Sequence, residues 1–409
     1  MYFKICVLVI MLFLTNINIL AQEGWFTQSN GFNGVIADSY FLNDSTGWTV
    51  GEAGRIYNTT DGGMNWTLQN SGYSGPLGGI FFLNGLEGWV VGYDAKIIKT
   101  INGGGFWASQ NTGNGFIDDV YFLDSNKGWA CGMYGLLLQT FNSGDLWSQV
   151  DLSSYSYLRS ITFSDQNTGW IVGQSGTIFK SENSGQSWNL ISLEIKSDFN
   201  EIFFINDSIG WIVGAGGLIL KTENKGIIWD QQTSNTFSDL HSIYFINPDK
   251  GWAAGKNKTI ISTTTGGNDW SIQFSSGNEG INSIQFVNDQ IGWATGTGGL
   301  ILKTTNGGIG TNSIDNEIKN VTNQFRLMQN YPNPFNPETI IEFTLPFAQF
   351  TTLKVYNLIG EEISTLVSSN LTRGKYQIQF DGRTLSSGVY IYQIVTEYFI
   401  DTNKMILIE

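Results

Sequence analysis

Cysteine is almost absent from this chain, with two in 409 residues. Cys6 falls in an apolar leader, so Cys131 stands alone in the remainder and no internal disulfide is available. One histidine, His241, without a second histidine or a cysteine in pattern, leaves no transition-metal set. Basic residues are scarce: 21 Lys and Arg against 35 Asp and Glu give a net charge of −14. That balance excludes nucleic acid and anionic membranes as partners. Beyond the leader no apolar run is long enough to span a bilayer, so no integral membrane segment is expected in the mature protein. Nucleotide loops and the nucleophile elbow are missing, and no cofactor, metal or catalytic set is expected.

What is present is tryptophan, on a clock. Trp48, Trp89, Trp129, Trp170, Trp211, Trp252 and Trp293 each follow a glycine and are spaced 41 residues apart, with one step of 40. Trp25, Trp66, Trp107, Trp147, Trp188, Trp229 and Trp270 keep the same step, and together the two series account for all 14 tryptophans. Each unit holds four short runs of β-branched and aromatic residues separated by Gly, Asn, Asp and Ser. A period of this length with four strands per unit predicts a blade of a β-propeller. Seven residues before each Gly-Trp tryptophan stands a phenylalanine, from Phe41 to Phe286, and three after it a glycine, from Gly51 to Gly296. Large rings between neighbouring sheets supply the apolar area that one blade cannot bury alone. The seventh unit ends at Gly308 without its outer strand, and Glu23–Asn30, with Trp25 one step before Trp66, is expected to supply it. The fold class is therefore all-β, a seven-bladed propeller whose last blade is closed by the N-terminal strand. A ring sealed in this way has no free sheet edge at the seam.

Before the second tryptophan of each unit lies a tight turn, as in Thr59–Trp66, Thr100–Trp107 and Thr140–Trp147. It resembles the Asp-box of sialidases and related propellers. The sixth copy, Thr263–Trp270, has drifted, with Thr265 in the Asp or Asn position. The resemblance implies a turn on the face opposite any active site. Sialidases need three arginines to clamp a carboxylate, and the propeller has only Arg55 and Arg159. The whole unit, GW-x-x-G-x-x-G-x-I-x-x-T-x-D/N-G-G-x-x-W, is similar to that of the photosystem II assembly and stability factors, with losses at Ala95, Lys258 and Thr265. This resemblance implies a protein-binding platform.

The ends carry addresses. Lys4 followed by the apolar Ile5–Leu14 reads as a signal peptide, residues 1–21, with cleavage after Ala21. The propeller is assigned to 22–308 and a polar linker to 309–324. Residues 325–409 lose tryptophan and gain four of the six prolines. Alternating strands broken by Gly and Asp-Gly predict a small, Ig-like β-sandwich there. The run Gln329–Pro337, the turn Val355–Gly360 and Ser387–Tyr390 resemble the C-terminal sorting domain of the type IX secretion system of Bacteroidota. That resemblance implies the type IX machinery as a partner and a secreted or outer-membrane-surface location. The family usually ends on a basic residue, whereas here Glu409 follows Ile408.

Chemistry in a propeller is expected at the mouth of its central channel, lined by the starts of the innermost strands and by the turns after GWxxG. Ten and eleven residues before each Gly-Trp tryptophan the repeat breaks into varied polar residues. Asp38, Asp118, Asp119, Arg159, Glu201 and His241 are the candidates to converge there on a protein or glycan ligand. The bland reading is a hydrated channel end, with His241 a solvated position. The alternative function is a glycoside hydrolase or carbohydrate-binding accessory drawing an acid and a base from Asp38, Asp118, Asp119 and Glu201.

Overall fold

A computed structural model describes residues 24–28, 31–110, 115–275, 277–309, 325–345, 349–371, 374–396 and 399–408. The expected signal peptide and all but the first residue of the expected linker lie outside the described residues. The chain divides into two units, residues 1–311 and 312–409.

In the first unit, seven four-stranded antiparallel sheets repeat one plan. In the fourth, the innermost strand Leu158–Phe163 pairs with Gly169–Gly173, which pairs with Ile178–Ser181, and Asn189–Ile191 lies outermost. Period-2 alternation decides which way the innermost strands face. In Ile281–Phe286, Ile284 and Phe286 are buried between blades while Ser283 and Gln285 face the channel side. A bulge interrupts the first pairing of all seven blades at one place, between Ile36 and Asp38 in the first and Leu158 and Ser160 in the fourth. The bulge turns both residues at the start of the strand toward the channel mouth.

Rings hold neighbouring blades together. Each Gly-Trp tryptophan lies against the phenylalanine of the following blade: Trp48 on Phe82 at 3.7 Å, Trp89 on Phe122 at 3.5 Å, Trp211 on Phe245 at 3.5 Å. The phenylalanine then meets the outer tryptophan of its own blade edge-on, as Phe82 meets Trp107. Each such pair adds about 0.5–1.5 kcal/mol beyond area burial. The stack closes on itself, since Trp293 of the last blade stacks on Phe41 of the first at 3.8 Å.

The seam is made by the N-terminal strand. Phe26 and Thr27 pair with Lys303 and Leu302, and Trp25 is 2% exposed, edge-on to Phe286. Side chains show that the register is that of an ordinary outer strand. Gln69, Gln232 and Gln273 donate from their amides to the turn carbonyls Gly103, Gly266 and Gly307 of the next blade. Gln28 does the same to Gly62 across the seam, at 3.1 Å.

The Asp-box turns are structural clasps. Thr59 Oγ1 accepts the Gly63 N–H and donates to Asp61, whose carboxylate accepts the Asn65 N–H. These bonds, the Asn65 N–H first, hold the Asp61 carboxyl below its usual range. In the sixth copy the Thr265 hydroxyl accepts the Asp269 N–H at 2.9 Å, so the drifted box still closes. Likewise Ala95 and Lys258, which replace the repeat glycine, hold its left-handed backbone at φ 47° and 52°. The clasps also join blades, because the indoles of Trp48, Trp211, Trp252 and Trp293 donate to turn carbonyls of the following blade. Cys131 is fully buried.

The second unit is a sandwich. Arg326–Leu327, Glu338–Leu345 and Gly374–Asp381 form one sheet; Glu362–Leu371, Gln349–Tyr356, Gly388–Thr396 and Ile400–Leu407 form the other. Ile341, Phe343, Leu353, Val355, Ile394 and Met405 fill the space between them. The proline-rich run is stitched into this core. Phe335 is buried, its backbone bonds to Ile406 and Ile408, and the Asn330 N–H donates to the Tyr392 hydroxyl. Among the described residues no helix is long and apolar enough to cross a membrane.

Candidate functional site

The starts of the innermost strands from all seven blades surround one cavity of about 380 Å³. Asp38, Asp118, Asp119, Arg159, Glu201 and His241 all line it, with Ala37, Gly78, Tyr157, Ser160, Asn200 and Asn282. The turns after GWxxG, expected to contribute, supply no lining residue. The reason is the bulge, which carries the strand starts inward ahead of those turns.

Two layers are distinguishable. The outer consists of the residues eleven before each Gly-Trp tryptophan. Asn200, His241 and Asn282 each bond to the carbonyl of a following blade: Leu240, Ile281 at 2.9 Å, and Ile36 at 2.8 Å. Arg159 donates to Asn200 and, at 3.2 Å, to Asp198, and lies over the Tyr157 ring. Blades one and two carry Ala37 and Gly78, so no rim side chain there reaches the carbonyl of the following blade. His241 is half-buried and its ring is held by a backbone carbonyl, rather than solvated as expected; burial pushes its pKa below the usual value.

The inner layer is a belt. Asp38, Asp119 and Glu201 stand on alternate blades, and serine or glycine fills the other four positions. Each carboxylate accepts the backbone N–H of the following blade's innermost strand: Asp38 from Ile80 at 3.0 Å, Asp119 from Ile161 at 2.8 Å, and Glu201 from Ile243. Ser242 does the same for Ile284. The belt thus covers the exposed edges of the strands that face the channel, a role the sequence pattern did not disclose.

Burial dominates the electrostatics. It raises Asp38 to about 6, Asp118 and Asp119 to about 7, and Glu201 to about 8. Backbone N–H bonds oppose the shift in Asp38, Asp119 and Glu201, while repulsion among these three adds to it in Asp119 and Glu201. The neighbouring Tyr157 hydroxyl is the main influence opposing the shift in Asp118, and its own pKa is driven up by burial and then by Asp118. Tyr157 was not foreseen: it lies just before the innermost strand of blade four, thirteen residues ahead of Trp170, in a column the sequence reading did not consider. No group of His, Cys, Asp and Glu among the described residues is arranged to hold a metal ion.

Comparisons with known proteins fit this architecture. A family model for the photosynthesis system II assembly factor YCF48 matches residues 17–112, 73–156, 147–236 and 227–321. A model for a secretion system C-terminal sorting domain matches 329–409. Among solved structures, YCF48 bound to D1 peptide is 19% identical, with a TM-score of 0.60, covering 70% of this chain and 98% of its own. The GH74 enzyme of Niastella koreensis is 12% identical, with a TM-score of 0.56, covering 79% of this chain and 59% of its own. PorZ, a surface component of the type-IX secretion system of Porphyromonas gingivalis, is 11% identical, with a TM-score of 0.52, covering 93% and 60%. At such identities the likeness shows the fold. Among curated proteins none matches.

Proposed function

We propose, for a chain that belongs to the family of the photosynthesis system II assembly factor YCF48, a surface binding scaffold that presents its channel mouth to a protein partner. Its C-terminal sorting domain marks it for export by type IX secretion, to the cell surface or the medium. The observation that carries the reading is the break in the repeat. Scaffold columns recur from blade to blade, whereas the outer rim residues differ in every blade except the fifth and seventh and enclose a 380 Å³ cavity with the small Ala37 and Gly78 on one side. A hydrated end of no consequence needs no such asymmetry. That a YCF48 has been solved with a peptide bound supports a peptide segment as the occupant.

The test uses the mature chain and a rim-blocked variant, Ala37→Trp. Incubated with surface proteins of its own cells, the native protein retains a partner and the blocked one does not. Equal retention by both sinks the reading. Reducing-sugar release from a glycan panel, lost in Asp118→Asn, would install the hydrolase reading in its place.

A further inference from the structure

Below the mouth the channel continues as a second cavity of about 210 Å³, which shares Asp38, Asp119, Ser160 and Glu201 with the first. Two residues beyond the belt, and therefore on the same face, the lining turns aromatic on five of the seven innermost strands, with Thr162 and Gln285 on the other two. Tyr40 lies 5.7 Å from Phe81, Phe81 lies 5.3 Å from Tyr121, and Phe203 lies 5.2 Å from Tyr244. The channel thus stacks a layer of carboxylates on a layer of rings. The carboxylates disfavour an anion and attract a cation, and the rings form an aromatic layer beneath them.

No fixed cation answers them. Arg159 and His241 are the basic groups among the lining residues; the first is engaged by Asp198 and Asn200, the second by the Ile281 carbonyl. Lys256 and Lys258 are paired with Asp239 and Glu279. Nor do the backbone bonds exhaust the belt, because a carboxylate offers about four lone-pair sites. At the rim, the buried Asp118 Oδ2 has no hydrogen-bond partner among the described residues, and Arg159 acts on it only through its charge.

We propose that the channel is a socket for the ammonium of a lysine side chain, inserted by the partner protein at the channel mouth. This rests on the platform reading above and names the chemistry of its occupant. A compact ammonium has three donors for the belt and a flexible apolar stem that fits the narrow rim. Beneath it lie the rings of Tyr40, Phe81, Tyr121, Phe203 and Tyr244. The strongly acidic surface steers such a partner inward.

Calorimetric titration of the mature protein with a pentapeptide carrying one central lysine tests this. Binding is expected, with at least a tenfold loss when norleucine replaces the lysine, because norleucine keeps the four-carbon stem and lacks the ammonium with its charge and three donors. Glu201→Gln, which keeps an acceptor for Ile243, is expected to weaken the lysine peptide about tenfold, and Phe203→Leu a few-fold. Equal binding of the two peptides, or full affinity in Glu201→Gln, overturns the socket. So does tighter binding of free cadaverine, which assigns the site to a small amine instead. If the lysine peptide does not bind while capture of a partner remains blocked by Ala37→Trp, the socket falls and the platform stands. If Ala37→Trp blocks nothing, both fall.

Discussion

Glu201→Gln is the perturbation whose magnitude follows most directly from the structure. Burial carries the Glu201 carboxyl from 4.5 to about 8, with Asp119 and Asp38 adding repulsion. The folded ring therefore binds this proton more tightly than the unfolded chain does. Between about pH 4.5 and 8 the native state holds more protons, so stability falls as pH rises through that window and is greatest below it. At about 1.4 kcal/mol per pH unit, the cost of ionising Glu201 in the ring is at most about 5 kcal/mol. Glu201 is half-buried beside the mouth cavity, so solvent screens part of that cost, leaving about 1–2 kcal/mol. Glutamine removes the charge and keeps an oxygen for the Ile243 N–H. For a domain of this size, 1–2 kcal/mol corresponds to a rise of about 2–6 °C in Tm. Scanning calorimetry at pH 8.5 is expected to show that rise in the propeller transition, and at pH 5 almost none. A gain that is the same at both pH values, or a loss at pH 8.5, refutes the argument that a buried charge sits at this position.

Further outcomes test other parts of the account. Trp25→Ala removes a buried ring and the partner of Gln273, and is expected to lower urea stability by about 3–5 kcal/mol; an unchanged midpoint would show that the N-terminal strand does not seal the ring. Thr59→Ala leaves the buried Gly63 N–H without its acceptor, and about 1–3 kcal/mol should be lost in the same assay. Ala95→Gly relieves a left-handed alanine at φ 47° and is expected to add about 1 kcal/mol; a destabilised variant contradicts the reading of that turn. Removing residues 325–409 should abolish surface exposure in intact cells, scored by protease shaving, while periplasmic protein persists.

Tryptophan and glycine spacing made the ring legible because each blade must meet its neighbours with the same rings at the same height. The seam followed from the same counting, since Trp25 occupies the outer column that the seventh unit lacks. Other features escaped for identifiable reasons. Thr265 looked like a loss because the box was read by residue type, whereas the turn needs only an oxygen that accepts an N–H. Asp38, Asp119 and Glu201 looked like free polar groups because their bonding partners lie about 42 residues away, on another blade. The aromatic layer from Tyr40 to Tyr244 was within reach of the same arithmetic, eight residues before each tryptophan, but Thr162 and Gln285 interrupt it. Tyr157 stands thirteen residues before Trp170, in a column that reads Val35, Pro76, Phe116, Asp198, Asp239 and Gly280 in the other blades, too varied to mark it.

The central claim is that the channel mouth, and not the opposite Asp-box face, meets a partner. A photo-crosslinking amino acid at Ala37, compared in intact cells with one at Met64 in the first Asp-box turn, tests it most directly. The account predicts a discrete crosslinked species from position 37 and none from position 64. Crosslinking from 64 alone, or equally from both, would contradict it.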